Sequence, residues 1–248
     1  MRWGIIVVLT AALLSAGAAP ARPFKYAYKS KYAHVDFSWS NEAEAVPQLV
    51  KRFRVELAKQ KADTIEGGKQ EFEFHPVGWE SSTKITTSGE SPRLLSLSRT
   101  YWAFTGGAHG NGSTIGLLWD RASAKEIKFA SLFTSPTRYE QVLRGPYCKA
   151  LDAERRKRRG NDYVPGGGNS TLAAAFSEFD RCPAFSALAM IPAAARRNGK
   201  LDRIHIVAAA YTAGPYAEGE YDIVLPVGPQ LIRLMKPQYR ASFEAQRQ

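Results

Sequence analysis

Histidine and cysteine are the residue types in this chain best suited to nucleophilic, acid–base or metal chemistry, and both are few. His34, His75, His109 and His205 are scattered, with no two at a metal-ligand spacing. HExxH, GxSxG and dinucleotide fingerprints are all missing, and the glycine run Gly166–Gly168 lacks the GK[ST] ending of a P-loop. No metal or cofactor is expected. His205, between Ile204 and Ile206, reads as a hydrogen-bonded structural histidine.

His109 is different. It lies in TGGAHGN, where Gly106, Gly107, Gly110, Gly112 and Asn111 tolerate the positive φ of a sharp reversal. An imidazole there could act as a general base or touch a ligand; equally, it could bond nearby backbone and fix the turn. Asp120 and Glu126 follow, but separation in sequence does not say whether they converge on the ring, and no nucleophile or carboxylate partner is identifiable. The balance is against an enzyme, with a hydrolase using His109 as the alternative.

A second reversal, TAGPYAEG (Thr212–Gly219), carries rigid Pro215 and the aromatic anchor Tyr216. Either Tyr216 projects toward a ligand or it folds onto the sheet as a packed turn. The candidate ligand contacts are therefore His109, Asn111, Pro215 and Tyr216.

Regular elements must hold these loops. Leu95, Leu97, Arg99, Tyr101 and Ala103 alternate with Ser96, Ser98, Thr100, Trp102 and Phe104, and Ile115, Leu117 and Trp119 share one face of the next run. That predicts an antiparallel hairpin with GGAHGNG at its tip. Tyr221, Ile223 and Leu225 return from the second loop toward Leu201, Ile204, Ile206 and Ala208, and both reversals are expected on one mixed sheet. Upstream, Val35, Phe37 and Trp39 read as the first strand. Val46, Leu49, Val50, Phe53 and Leu57 fall at helical spacing, with Pro47 in the first turn and Gly67-Gly68 as the end. Phe72, Phe74 and Pro76, then Lys84–Thr87, read as strands, with Ser88–Pro92 as a turn. Tyr139, Val142, Leu143, Tyr147 and Leu151 predict a second helix, running into the basic cluster Arg155–Arg159. Ser170 or Thr171 is a possible cap for a short helix ending at Phe179. Pro183–Arg197 reads as partly helical, and Pro229–Met235 as a short terminal helix. Strands gathered around few helices predict an α+β fold.

The address is read from the first residues. Arg2, the apolar run Ile5–Leu14 and the small-x-small site Ala19-Pro20-Ala21 make residues 1–21 a secretory signal peptide. The run is too short to span about 30 Å of hydrocarbon, so no membrane span is expected after cleavage. The exported chain divides into 22–133, holding the first hairpin, and 134–248, holding the second, as two intertwined α/β subdomains. Cys148 and Cys182, an even pair in an oxidising compartment, are expected to form a disulfide, with two free thiols as the alternative. Lys and Arg number 34 against 23 Asp and Glu, a net +11 that becomes +10 without Arg2. Outside the cytoplasm that charge favours anionic envelope polymers over nucleic acid, or is simply a solvated basic surface, and a basic scaffold using Arg155–Arg159 is a further alternative.

TGGAHGN, the following strand and KEIKFASLF resemble a module shared by RsiV-type lysozyme-sensing anti-sigma factors and PdaC-like peptidoglycan deacetylases. AAAYTAGPYAEGEYDIVLPVGPQLIRLMKP (Ala208–Pro237) resembles the same module's C-terminal signature. The resemblance implies an exported, non-enzymatic binding module, periplasmic or secreted, whose partner is a lysozyme-like protein or peptidoglycan. The chain reads as neither a transmembrane anti-sigma factor nor a carrier of deacetylase motifs.

Overall fold

The computed structural model describes residues 22–246 apart from 75, 136, 161–162 and 166–178. The signal-peptide reading, the glycine run Gly166–Gly168 and the proposed cap at Ser170 or Thr171 lie outside the described residues. The chain folds as α+β, in two sheets. Strands β1 (Phe24–Lys29), β2 (Ala33–Trp39), β3 (Trp79–Glu90), β4 (Leu94–Phe104), β5 (Asn111–Asp120) and β6 (Lys125–Ile127) make a six-stranded sheet in chain order. Every pairing is antiparallel except β2–β3, and that parallel step needs a crossover. Two helices supply it, α1 (Asn41–Glu44) and α2 (Pro47–Glu71). After α3 (Arg138–Arg159), β7 (Ala189–Ala193), β8 (Arg203–Ala208) and β9 (Tyr221–Pro226) form a three-stranded antiparallel sheet, followed by α4 (Pro229–Leu234). Among the described residues, no helix is long and apolar enough to cross a membrane.

The single helix expected around Val46–Leu57 is two helices. Ser40 caps α1 by accepting from the Ala43 N–H, and Pro47 then opens α2, where its missing N–H costs nothing. Gly67-Gly68 does not end α2, which continues to Glu71. These glycines are sites of close approach. A Cβ at Gly67 would stand 2.1 Å from the Trp79 ring, and one at Gly68 would stand 2.0 Å from the Tyr32 carbonyl oxygen. Gly68→Ala is therefore expected to destabilise the fold by about 2 kcal/mol despite alanine's better helix propensity, because backbone must move to admit the methyl. Urea unfolding checks this; an unchanged or raised midpoint would refute the close-packing argument.

Where a strand was expected from Phe72, Phe72 caps the end of α2 and the Phe74 N–H donates back to the Glu71 carbonyl at 3.0 Å, and the Ser88–Pro92 turn is mostly strand. β3 continues to Glu90 with its register shifting between Thr87 and Gly89. Pro183–Arg197 holds β7 where helix was expected. β7 crosses the large sheet where side chains are missing: Cβ atoms on Gly89 and Gly116 would meet Ala194 N at 2.7 Å and Met190 O at 2.6 Å.

Burial follows the alternation of β4 and β5. Leu95, Leu97, Leu117 and Trp119 join Phe37, Trp39 and Ile85 beneath Leu49 and Phe53 of α2. Leu94 and Leu118, on the reverse face, join a second core built by Tyr139, Leu143, Tyr147 and Leu151 of α3 with Ile204, Ile206, Tyr221 and Ile223 of the small sheet. The two halves of the chain thus share the central hairpin as a wall between their cores.

Candidate functional site

The central hairpin turns through Gly106 and Gly107 at φ of 95° and 88°, a region glycine enters without strain. Gly110 is buried beneath the Trp102 ring, whose nearest atom lies 2.4 Å from where a Cβ would sit. His109 and Asn111 are exposed on either side, and Asn111 opens β5 opposite Ala103. His109 Nδ1 lies 3.1 Å from the Gly110 carbonyl oxygen, so the ring holds its own turn.

The second loop meets the first. The Tyr216 phenol donates to the Gly110 carbonyl, and its ring stacks on His109 at a centroid distance of 3.7 Å and 15° between planes. Tyr211 extends the stack, 5.8 Å from Tyr216, and is held at φ 68°, a left-handed conformation unusual for tyrosine. Just beyond, the Glu220 carboxylate accepts from the Thr114 N–H at 2.7 Å and its hydroxyl at 2.8 Å. Thr114 lies on the outer side of β5 opposite Thr100, so Glu220 takes the place of a missing neighbouring strand. The reversals therefore sit on two different sheets, not on one mixed sheet as expected, and are joined by side chains. Tyr216 neither projects freely nor folds onto its own sheet; it bridges. Pro215 precedes the 3₁₀ turn Tyr216–Glu218 and accepts from the Glu218 N–H at 3.0 Å.

What holds the second loop is the end of α3. Arg155 is fully buried and donates to the carbonyls of Ala213 (3.0 Å), Asp180 (3.2 Å) and Arg181 (3.0 Å), and to the Asp152 carboxylate (3.1 Å). Arg159 grips Glu218 with two donors, at 2.7 and 2.9 Å, and also pairs with Asp180. Arg158 donates to the carbonyls of Glu218 and Glu220 and lies 3.9 Å over the Tyr221 ring. The basic cluster that sequence offers as an anion-binding surface is thus engaged internally at Arg155, Arg158 and Arg159.

Burial alone would raise the Glu218 pKa, but the Arg159 guanidinium and the Tyr221 phenol outweigh it and hold the carboxylate below its usual range. Burial and Glu218 together push the Tyr221 phenol up to about 12. A carboxylate with a depressed folded-state pKa stabilises fully above its unfolded value, and that stability is lost as pH falls through the folded value. Loop stability should therefore fall below about pH 4, near the ordinary Glu value. Thermal melts of wild type and Glu218→Gln check it: the variant's acid dependence should be shallower. Equal slopes would remove Glu218 from the clamp.

The carboxylates downstream of His109 are engaged elsewhere. Asp120 pairs with Arg93 at 2.9 Å, and Glu126 with Arg52. Two other histidines have carboxylate partners: His34 Nε2 lies 3.2 Å from Asp36, and His205 Nδ1 lies 2.8 Å from Asp222. His205 and Asp222 line a cavity of about 330 Å³ between the sheets, with Ser88, Ser98 and Arg203. Among the described residues, no three His, Cys, Asp or Glu side chains are grouped to hold a metal. Cys148 and Cys182 form a disulfide. Sequence reasoning missed Tyr211, Glu220 and Arg155. Nothing in an alanine-rich stretch marks Tyr211 for positive φ, and the contacts of the other two are long-range.

Residues 25–112 match a family described as deacetylase PdaC, a span that includes the first loop. The fold is similar to that of a DUF3298 family protein from Pseudomonas aeruginosa PAO1, at 15% identity and a TM-score of 0.54, covering 92% of this chain and 99% of that one. It is likewise similar to a member of the same family from Bacteroides fragilis NCTC 9343, at 15% identity and a TM-score of 0.53, covering 91% and 97%. Among curated proteins there is no match.

Proposed function

We propose, from the match of residues 25–112 to the PdaC family and the shared fold, that the chain carries a PdaC/RsiV-like domain and is an exported, non-enzymatic binding module of the cell envelope. Its ligand, a lysozyme-like protein or peptidoglycan, is held on the surface where the two loops join. The domain type and the disulfide support an extracellular or envelope location.

One observation carries the reading: the His109–Tyr216 stack, with the Tyr216 bond to Gly110, fixes two loops from separate sheets as one aromatic surface, exposed at His109 and half-buried at Tyr216. Aromatic rings already immobilised lose little entropy when a partner covers them, which is why such residues dominate binding energy. Holding is favoured over turnover because the His109 Nδ1 meets a backbone carbonyl, and Asp120 and Glu126 are tied to arginines. A pull-down of the exported chain against immobilised lysozyme and against peptidoglycan tests the proposal. Tyr216→Ala should weaken whichever interaction is found by about thirtyfold, the size of a binding hot spot. Failure of the wild type to bind either would dismiss the proposal.

A further inference from the structure

We propose a second binding surface, independent of the joined loops: the outer edge of the large sheet, along β1 and the adjoining side of α2, binds a linear anionic polysaccharide. Because Arg155, Arg158 and Arg159 are engaged internally, cations available to an anionic ligand have to be sought elsewhere, and they line β1. This outermost strand places Phe24, Tyr26 and Tyr28 on one face, half-buried, with Lys25 and Lys29 exposed on the other. Alternate residues of a strand stand about 7 Å apart, so the rings form a straight row.

A cation sits over each ring of that row. The Arg54 guanidinium carbon is 5.3 Å from the Phe24 ring centre and 6.0 Å from that of Trp39. Lys61 Nζ lies 4.7 Å from Tyr28 and 5.5 Å from Tyr26. Lys31 continues the row, 4.6 Å from Tyr32 and 5.7 Å from Phe72. Of the other cations of α2, Arg52 pairs with Glu56 and Glu126 and Lys59 with Asp63, whereas Lys51 and Lys69, among the described residues, have neither an ion-pair partner nor a ring of the row beneath them. Among the described residues, no carboxylate lies within ion-pair distance of Arg54, Lys61 or Lys31, nor of Lys25 or Lys29. A ring quadrupole positions a cation without cancelling its charge. Edge lysines commonly deter pairing with other strands, and Lys25 and Lys29 serve that purpose adequately. That role does not explain Arg54 and Lys61, which come from α2 and stand over the rings. A ligand suited to the strip is linear, carries repeated negative charge, and offers hydroxyl and C–H groups to the phenols and ring edges. An acidic polysaccharide has all three properties.

The test is binding of the exported chain to heparin, to a polyuronate, to neutral dextran and to single-stranded DNA, at low and high salt, by calorimetry. We expect both acidic polysaccharides to bind, with affinity falling as salt rises, and dextran not to bind. Arg54→Gln with Lys61→Gln should weaken binding about tenfold with the melting profile retained. Lys61→Arg should preserve it, as should Arg156→Gln with Lys157→Gln at the exposed end of α3. Tyr216→Ala should leave it unchanged, so this surface stands or falls apart from the joined loops. No binding of either polysaccharide overturns the proposal. So does equal loss from the α3 pair, or DNA or dextran binding as tight as the acidic polysaccharides.

Discussion

Replacing Arg155 by methionine is expected to cost about 3–5 kcal/mol of stability, among the largest losses available to a single substitution here. Methionine keeps the apolar stem and deletes only the guanidinium. Left behind are the carbonyls of Ala213, Asp180 and Arg181, while Asp152 retains only the phenol of Tyr163 at 3.0 Å. Buried acceptors stripped of donors incur their full desolvation cost, because water does not readily replace a side chain that is 0% exposed. Arg155→Lys should recover little, since one ammonium cannot reach acceptors arranged around a planar fork. Urea denaturation at neutral pH gives the measurement, with the midpoint falling at unchanged slope. Hydrogen exchange should show residues 213–220 losing protection first. A loss under about 1 kcal/mol would mean that the guanidinium is not the tie between α3 and the second loop.

That arginine also marks where sequence reading stops. Period-two patterns in β4, β5 and β9 were legible because each strand has one face in a core, and α3 showed its stripe of Tyr139, Leu143, Tyr147 and Leu151 for the same reason. Arg155 follows Leu151 on that stripe, yet a basic residue at a helix C-terminus is explained locally by the helix dipole. Its burial depends on carbonyls some 25 to 58 positions away. Gly67 and Gly68 misled because glycine marks helix ends and close contacts alike, and the contacts were with Tyr32 and Trp79, on other elements. β7 was hidden because its place is set by backbone lying against Gly89 and Gly116 on the sheet it crosses, contacts that no local pattern marks. No element was assigned before Val35, although Phe24, Tyr26 and Tyr28 alternate with Lys25, Ala27 and Lys29. The candidate loops were visible as glycine-rich reversals. Their union through His109, Tyr216 and Glu220 was not, since Tyr216 reaches Gly110 across 106 positions.

Opening the Cys148–Cys182 disulfide is expected to cost a further 3–4 kcal/mol, roughly the loop-closure entropy for residues 34 apart. The physical consequence is more specific than a looser unfolded chain. Asp180 and Arg181, which supply two of the Arg155 acceptors, immediately precede Cys182, and Arg144 of α3 donates to the carbonyls of Cys182 and Pro183 at 3.3 Å. The disulfide and the two arginines therefore fasten one short segment to one helix, and their effects should couple. Cys148→Ser with Cys182→Ser, Arg155→Met, and the triple combination form a cycle whose interaction energy we expect to be at least about 1 kcal/mol, because a segment already released by one change has less to lose from the other. Melting with and without reductant checks the first part, and urea unfolding of the three variants checks the second. If reductant leaves the melting temperature unchanged, the bond is not stabilising the fold. If the losses simply add, helix and segment are held by independent contacts, and the second loop does not depend on the disulfide through Arg155.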